Sequence, residues 1–222
     1  MKYAGIAQLH HRSLTHRLKI IQVFSIVSFI AMLYFLAHLP RSVWGVLVLS
    51  VLFTLFYAVP LNVIKSRSNK RRTLRDIAGI KILIIGVVWS LTTVILPAIA
   101  TGDFIVWDLA ILSLQRLLWV VVLTIPFEIR DLPYDRISLG TIPQRMGVRR
   151  AKLLGYLLLL VQVLLVFMRD QYDQEIIVVD IVGVCIAGLF LWRATVSQSR
   201  YYASFWVEAA PIFWLASSLI LY

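Results

Sequence analysis

The sequence predicts an all-α, polytopic transmembrane helix bundle. Three observations carry this: the 222 residues are 60% hydrophobic and only 15% charged, the apolar residues fall into seven long runs, and Lys and Arg collect in every second connection between those runs. A soluble shell could not cover so much apolar surface. Crossing hydrocarbon as a helix takes about 20 apolar residues, and stretches near that length occur at 20–38, 42–60, 77–100, 107–127, 151–168, 176–193 and 203–221. Transmembrane strands are shorter and alternate in polarity; these runs do neither. No second domain, low-complexity tract or internal repeat interrupts the pattern, so residues 1–222 are expected to form one transmembrane domain.

The first run follows a basic stretch with Arg12, Arg17 and Lys19, as a secretory signal would. It is longer than the apolar region of such a signal, however, and Ala37-His38-Leu39-Pro40 is a poor cleavage site. It reads as a retained first helix. Beyond it the cations alternate. The opening stretch carries Lys2, Arg12, Arg17 and Lys19. The connection after the second helix carries Lys65, Arg67, Lys70, Arg71, Arg72 and Arg75. The one after the fourth carries Arg130, Arg136, Arg145, Arg149, Arg150 and Lys152, and the one after the sixth Arg193 and Arg200. The intervening connections hold Arg41, none around Thr101-Gly102-Asp103, and Arg169 diluted by Asp170, Asp173 and Glu175. The positive-inside rule then places the N-terminus in the cytoplasm and Tyr222 outside. A wrongly split or merged helix would have scrambled this alternation. The net charge of +11 is accounted for by topology and attraction to anionic membrane lipids, and no nucleic-acid partner is expected. The single cysteine, Cys185, falls inside the sixth run; it binds no metal alone and reads as packing.

Charge concentrates in FEIRDLPYDRISLGTIPQRMG, directly after the fourth run. Asp131 and Asp135 are four residues apart, which puts both on one side of a helical turn. Pro133 disfavours the α region at Leu132, so the fourth helix is expected to end near Asp131. Mg²⁺ takes one or two protein carboxylates and completes its octahedron with water and phosphate oxygens, so this pair beside several arginines is a candidate receptor for a magnesium diphosphate. Glu128 is a candidate third ligand, or a helix-end residue neutralised by Arg130. The alternative is a solvated loop in which Asp131 and Asp135 pair with Arg130 and Arg136, where such ion pairs contribute about 0–1 kcal/mol.

The stretch EIRDLPYDRISLGTIPQRMG resembles the second aspartate-rich motif of the UbiA superfamily of intramembrane prenyltransferases, through Asp131, Asp135, Gly140, Thr141, Pro143 and Gly147. A weaker likeness covers FYAVPLNVIKSR at 56–67 and RYYASFWVEAAPIFW at the start of the seventh run. The resemblance implies Mg²⁺ at Asp131 and Asp135, diphosphate contacts from Lys65 and Arg67, and transfer of an isoprenyl group from an allylic diphosphate to a lipophilic, commonly aromatic, acceptor. It also implies a cytoplasmic (inner) membrane location. The seven runs match the last seven of the family's nine helices. The family's first aspartate-rich motif would fall at the opening of this chain, which reads MKYAGIAQLHHRSLTHRLK and holds no acid; Asp76 is the first. The homo-oligomer is one way for such a bundle to close.

Tyr57, Trp89, Trp119, Phe127, Tyr134 and Trp206 are the aromatics that could line a prenyl tunnel; Trp44 and Trp107 read as interfacial anchors. Asp180 and Glu208 lie well inside apolar runs, where a carboxylate is costly and is expected to be paired or to face a cavity. Glu208 is the candidate cavity acid, at the motif's end of the bundle, and Asp180 is expected to reach the outer headgroups. His10, His11 and His16 have no accompanying acid or cysteine and read as a solvated basic tail. Two rival readings stand beside prenyl transfer: an isoprenoid-binding or assembly protein without turnover, and a small transporter or structural subunit for which the motif is only a loop.

Overall fold

The structure, a computed structural model, describes residues 2–58, 78–135, 140–170, 174–199 and 201–221, and every regular element among them is helical. α1 is Lys2–Ala37, and α2 is Trp44–Ala58, entered through one 3-10 turn, Arg41–Val43. α3 joins Ala78–Ser90 through a π-helical stretch, Leu91–Ile95, to Leu96–Thr101. α4 is Val106–Asp131, α5 is Ile142–Val166 and α6 is Gln174–Arg193. α7 opens as the π-helical Tyr202–Val207 and continues as Ala210–Leu221.

Among the described residues, each apolar run of the sequence falls on one of these seven helices. Five helices, α1 from Lys19, α3, α4, α6 and α7, are long and apolar enough to cross a membrane; the chain is a multi-pass membrane protein. Arg41–Tyr57 is apolar but shorter. In α5 the cations Arg145, Arg149, Arg150 and Lys152 occupy the first turns, and the apolar stretch follows them. One boundary differs from expectation. The basic opening stretch continues α1 back to Lys2 instead of forming a tail, because a helix satisfies its own backbone locally and no proline precedes Pro40 to stop it. α4 runs on through Pro126 and ends at Asp131, as expected. That proline forfeits one helical hydrogen bond, and its own carbonyl accepts one from Gln198 Nε2 at 2.8 Å.

The chain divides into two compact units, Met1–Trp44 and Gly45–Tyr222. The first holds α1 and the turn after it. In the second, α4 is the central element and packs against α3, α5, α6 and α7, while α5 packs on α6 and α6 on α7. Trp119, Val122, Ile125 and Ile129 of α4 meet Ala151 and Leu159 of α5, Ala187 and Leu191 of α6, and Ala210 of α7 in one buried cluster. Lipid is as apolar as leucine, so close helix packing in a membrane depends on small residues at the contact. Gly155 serves here: a Cβ at that position would lie 2.5 Å from Leu191 Cδ2. The opposite face of α5 presents Leu153, Leu157, Leu160 and Leu164, all exposed, as a lipid-contacting stripe. Cys185, expected to pack, is exposed on α6.

Polar side chains tie the helix ends. Lys152 Nζ donates to the Trp192 carbonyl at 2.7 Å, satisfying an end carbonyl of α6. At the other end of the bundle Trp107 Nε1 donates to the Met168 carbonyl at 2.8 Å, and the Asp170 N–H donates to Asp108 Oδ1 at 2.7 Å. α4 and α5 therefore run antiparallel, with Asp131 at one end and Asp108 at the other.

Candidate functional site

The Asp131 motif closes α4 with a tight turn. The N–H groups of Tyr134 and Asp135 both donate to the Asp131 carbonyl, at 2.9 and 2.8 Å, so Asp131 and Asp135 leave one turn of chain. Residues 136–139 lie outside the described residues. Gly140 then takes φ +60° with the Arg145 guanidinium packed against it, where a Cβ would meet Arg145 Nε at 3.0 Å. α5 opens at Ile142, with the Thr141 N–H bonded to Gln144 Oε1 at 3.1 Å, and bends at Gly147 (φ 80°, ψ 159°). That backbone conformation is essentially confined to glycine. Both motif glycines therefore meet a backbone requirement.

The acids of the motif are already engaged. Arg130 grips Asp131 in a fork, Nε to Oδ1 at 2.7 Å and Nη2 to Oδ2 at 3.0 Å. Its third nitrogen, Nη1, donates to Ser204 Oγ at 2.6 Å. Glu128 is buried, and its Oε2 accepts the Ile142 N–H at 3.1 Å; Lys81 and Asp135 lie within electrostatic range of it. The ion pair with Arg130 that the solvated-loop reading anticipated is thus formed at Asp131. Among the described residues, no group of three or more His, Cys, Asp or Glu side chains is arranged to hold a metal ion. A two-carboxylate site remains chemically feasible, because an ionised carboxylate offers about four lone-pair positions and Arg130 uses two at Asp131. Lys65 and Arg67 fall outside the described residues.

Beside this turn a cavity of about 450 Å³ opens between α3, α4 and α7. Trp89, Trp119 and Phe127 supply aromatic wall, Leu123 and Val207 aliphatic wall, and Glu208 its acid. Phe127 links cavity and motif, since the Arg130 guanidinium sits 5.4 Å from its ring centroid. Of the other aromatics named from sequence, Tyr134 is 80% exposed and Trp206 stacks on Phe213, their rings 6.3 Å apart and 6° from parallel. Val207, the last residue of the π-helical opening of α7, lies in the cavity wall. Such π segments are rare and concentrate where a helix must redirect side chains.

The chain matches no known protein family, no curated protein and no solved structure. Chemically, the arrangement joins an acidic turn carrying an arginine to an aromatic chamber of the size that holds small amphiphiles, roughly 300–1,000 Å³.

Two cations inside apolar runs were missed by sequence reasoning: Lys81, within electrostatic range of Glu128, and Arg116. Arg116 stands in the middle of the fourth apolar run and lines this cavity. The signal was available, because a cation in the interior of a spanning helix is costly and marks a partner or a cavity. Asp180, expected to be paired or to reach the outer headgroups, accepts from Arg169 Nη2 at 2.7 Å with both side chains nearly buried. Arg169, the only cation of its connection, lies close enough to turn back into the bundle.

Proposed function

We propose that the chain is a divergent UbiA-like prenyltransferase of the cytoplasmic membrane, with its N-terminus inside. It takes an isoprenyl diphosphate at the Asp131–Asp135 turn and passes the isoprenyl group to a lipophilic, aromatic acceptor. The observation that carries this reading is the continuity from the acidic turn, through Arg130 and Phe127, into the aromatic chamber. Asp131 and Asp135 would hold Mg²⁺, which when bound supplies positive charge against the departing diphosphate. Arg130 contacts the same anion, with Lys65 and Arg67 as further cations. The prenyl chain lies between Trp89, Trp119 and Phe127, whose ring faces favour the allylic cation left when the carbon–oxygen bond breaks and its electron pair departs with diphosphate. The acceptor carbon then bonds to that cation and loses its proton to Glu208 at the cavity wall. The smaller charge complement, with no acid-rich stretch before Asp76, is the departure from the family pattern.

A second reading, isoprenoid binding without turnover, is favoured by one observation: the fork from Arg130 already occupies both oxygens of Asp131. Diphosphate release from geranyl, farnesyl and longer allylic diphosphates, measured with the purified chain and magnesium, separates the two. Magnesium-dependent release that Asp131→Ala and Asp135→Ala abolish supports transfer. Binding that both substitutions abolish, with no release from any substrate, supports the second reading. If neither binding nor release occurs, both readings fall.

A further inference from the structure

The half of the bundle away from Asp131 holds a second constellation. The Arg116 guanidinium lies 4.5 Å from the centroid of the Trp214 ring, and Trp214 packs against Trp119 with centroids 5.2 Å apart. Gly183 of α6 makes room for this pair, since a Cβ there would stand 3.1 Å from Trp214 Cδ1. Across the group Arg169 holds Asp180 in a buried ion pair. Two adjoining cavities of about 230 and 400 Å³ run through the constellation, and both are lined by Leu112, Arg116, Asp180 and Trp214. The π-helical stretch of α3 contributes Thr93 and Val94 to the smaller one.

The polar atoms here share one chemical need. Arg116 Nε, Arg169 Nε, Trp119 Nε1 and Trp214 Nε1 are all buried without a hydrogen-bond partner, and each carries an N–H that can only donate. Trp119 is 2% exposed. The Gln162 side-chain oxygen, at a residue 4% exposed, is likewise unpartnered, and a half-turn of that amide would present a donor instead. Charge points the same way. Two guanidinium groups face one carboxylate, and Asp180 is the only acid among the described residues lining either cavity. Buried donors left unpaired are costly, and an uncompensated charge inside a membrane more so. Water could satisfy the donors but would leave the charge.

We infer that this chamber binds the compact oxyanion head, a carboxylate or a phosphodiester, of a membrane lipid. The head sits among Arg116, Trp119 and Trp214, and its chains leave past Ile176, Val179 and Leu215. Arg116 precedes Asp131 by fifteen residues of helix, about 22 Å at the helical rise, so the site stands apart from the acidic turn; Arg116 and Trp119 form a wall that it shares with the 450 Å³ chamber holding Glu208, and its test reads lipid binding, not prenyl transfer.

The full chain in nonionic detergent is titrated with oleate, with phosphatidylglycerol, and with acetate or inorganic phosphate as tail-free controls. Tryptophan fluorescence follows occupancy, and native mass spectrometry counts bound lipid. Oleate or phosphatidylglycerol is expected to bind saturably at one site, and the tail-free anions much more weakly. Arg116→Met is expected to weaken binding at least about tenfold, the loss of a charge-assisted hydrogen bond. Trp214→Phe keeps a ring and removes the N–H; it should weaken binding roughly threefold to tenfold, and it decides the matter if Arg116→Met does not fold. Tail-free anions binding as tightly as the lipids would overturn the lipid assignment. Absence of saturable binding by all the probes, or binding that neither substitution alters, would overturn the site.

Discussion

The carboxylate of Glu128 accepts the backbone N–H of Ile142 at 3.1 Å, joining the last turn of α4 to the first residue of α5. The contact fixes where the 140–147 segment returns to the bundle, and it gives the acid a use that needs no metal.

That contact sets the first prediction. Glu128→Ala leaves a buried N–H without its acceptor and should cost about 1–3 kcal/mol of stability, read as a lower unfolding midpoint in detergent. Glu128→Gln keeps an acceptor oxygen and should retain most of the stability. A Glu128→Gln chain of full stability whose affinity for Mg²⁺ has nonetheless fallen would instead make Glu128 a metal ligand.

The two glycines of α5 that matter should fail in different ways. Gly147 has open space around a would-be Cβ but φ +80°, so Gly147→Ala costs backbone strain of about 1–3 kcal/mol. No change in a neighbouring side chain relieves it. Gly155 has helical geometry, and a Cβ there would meet Leu191 Cδ2 at 2.5 Å. Gly155→Ala should therefore be destabilising alone and partly rescued by Leu191→Ala. Equal rescue of both, or of neither, in a double-mutant comparison would contradict this assignment.

Helix positions were legible because the membrane imposes a length and a composition on each crossing. α4 ends at Asp131 as expected, although Leu132, the residue before Pro133, still holds α-region angles (φ −45°, ψ −44°) and the expected reason is not the one at work; the glycines at 140 and 147 were visible as part of a motif. Helix faces were not legible. On α5 the lipid-facing Leu153, Leu157, Leu160 and Leu164 and the buried Ala151, Leu159 and Val166 are equally apolar, so periodicity carries no direction. For that reason the sequence offered six aromatics for a chamber, whereas three of them line it. The contact of Arg116 with Trp214 joins α4 to α7 across almost a hundred residues of chain, and no local pattern reports it.

Arg130 competes for the acid that magnesium would use. Removing its charge by Arg130→Gln frees both Asp131 oxygens and the Ser204 hydroxyl. The magnesium concentration needed for half-maximal farnesyl diphosphate binding should then fall, while affinity for diphosphate at saturating magnesium should drop as its own cation is lost. A midpoint that does not move would mean that Asp131 does not bind the metal.

The last prediction concerns the buried pair, Arg169 and Asp180, at 2.7 Å with side chains 8% and 12% exposed. Removing one partner of such a pair leaves an uncompensated charge and typically costs about 3–5 kcal/mol, whereas replacing both with apolar residues is often neutral or stabilising. Asp180→Leu should therefore be severely destabilising. Asp180 also attracts Arg116, so the double variant Arg169→Met with Asp180→Leu still strands one guanidinium and should recover only part of the loss. Adding Arg116→Met should recover the rest. Unfolding midpoints of the single, double and triple variants test this order. Full recovery in the double variant would show that Arg116 does not depend on Asp180, and the two arginines would then have to be treated as separate sites.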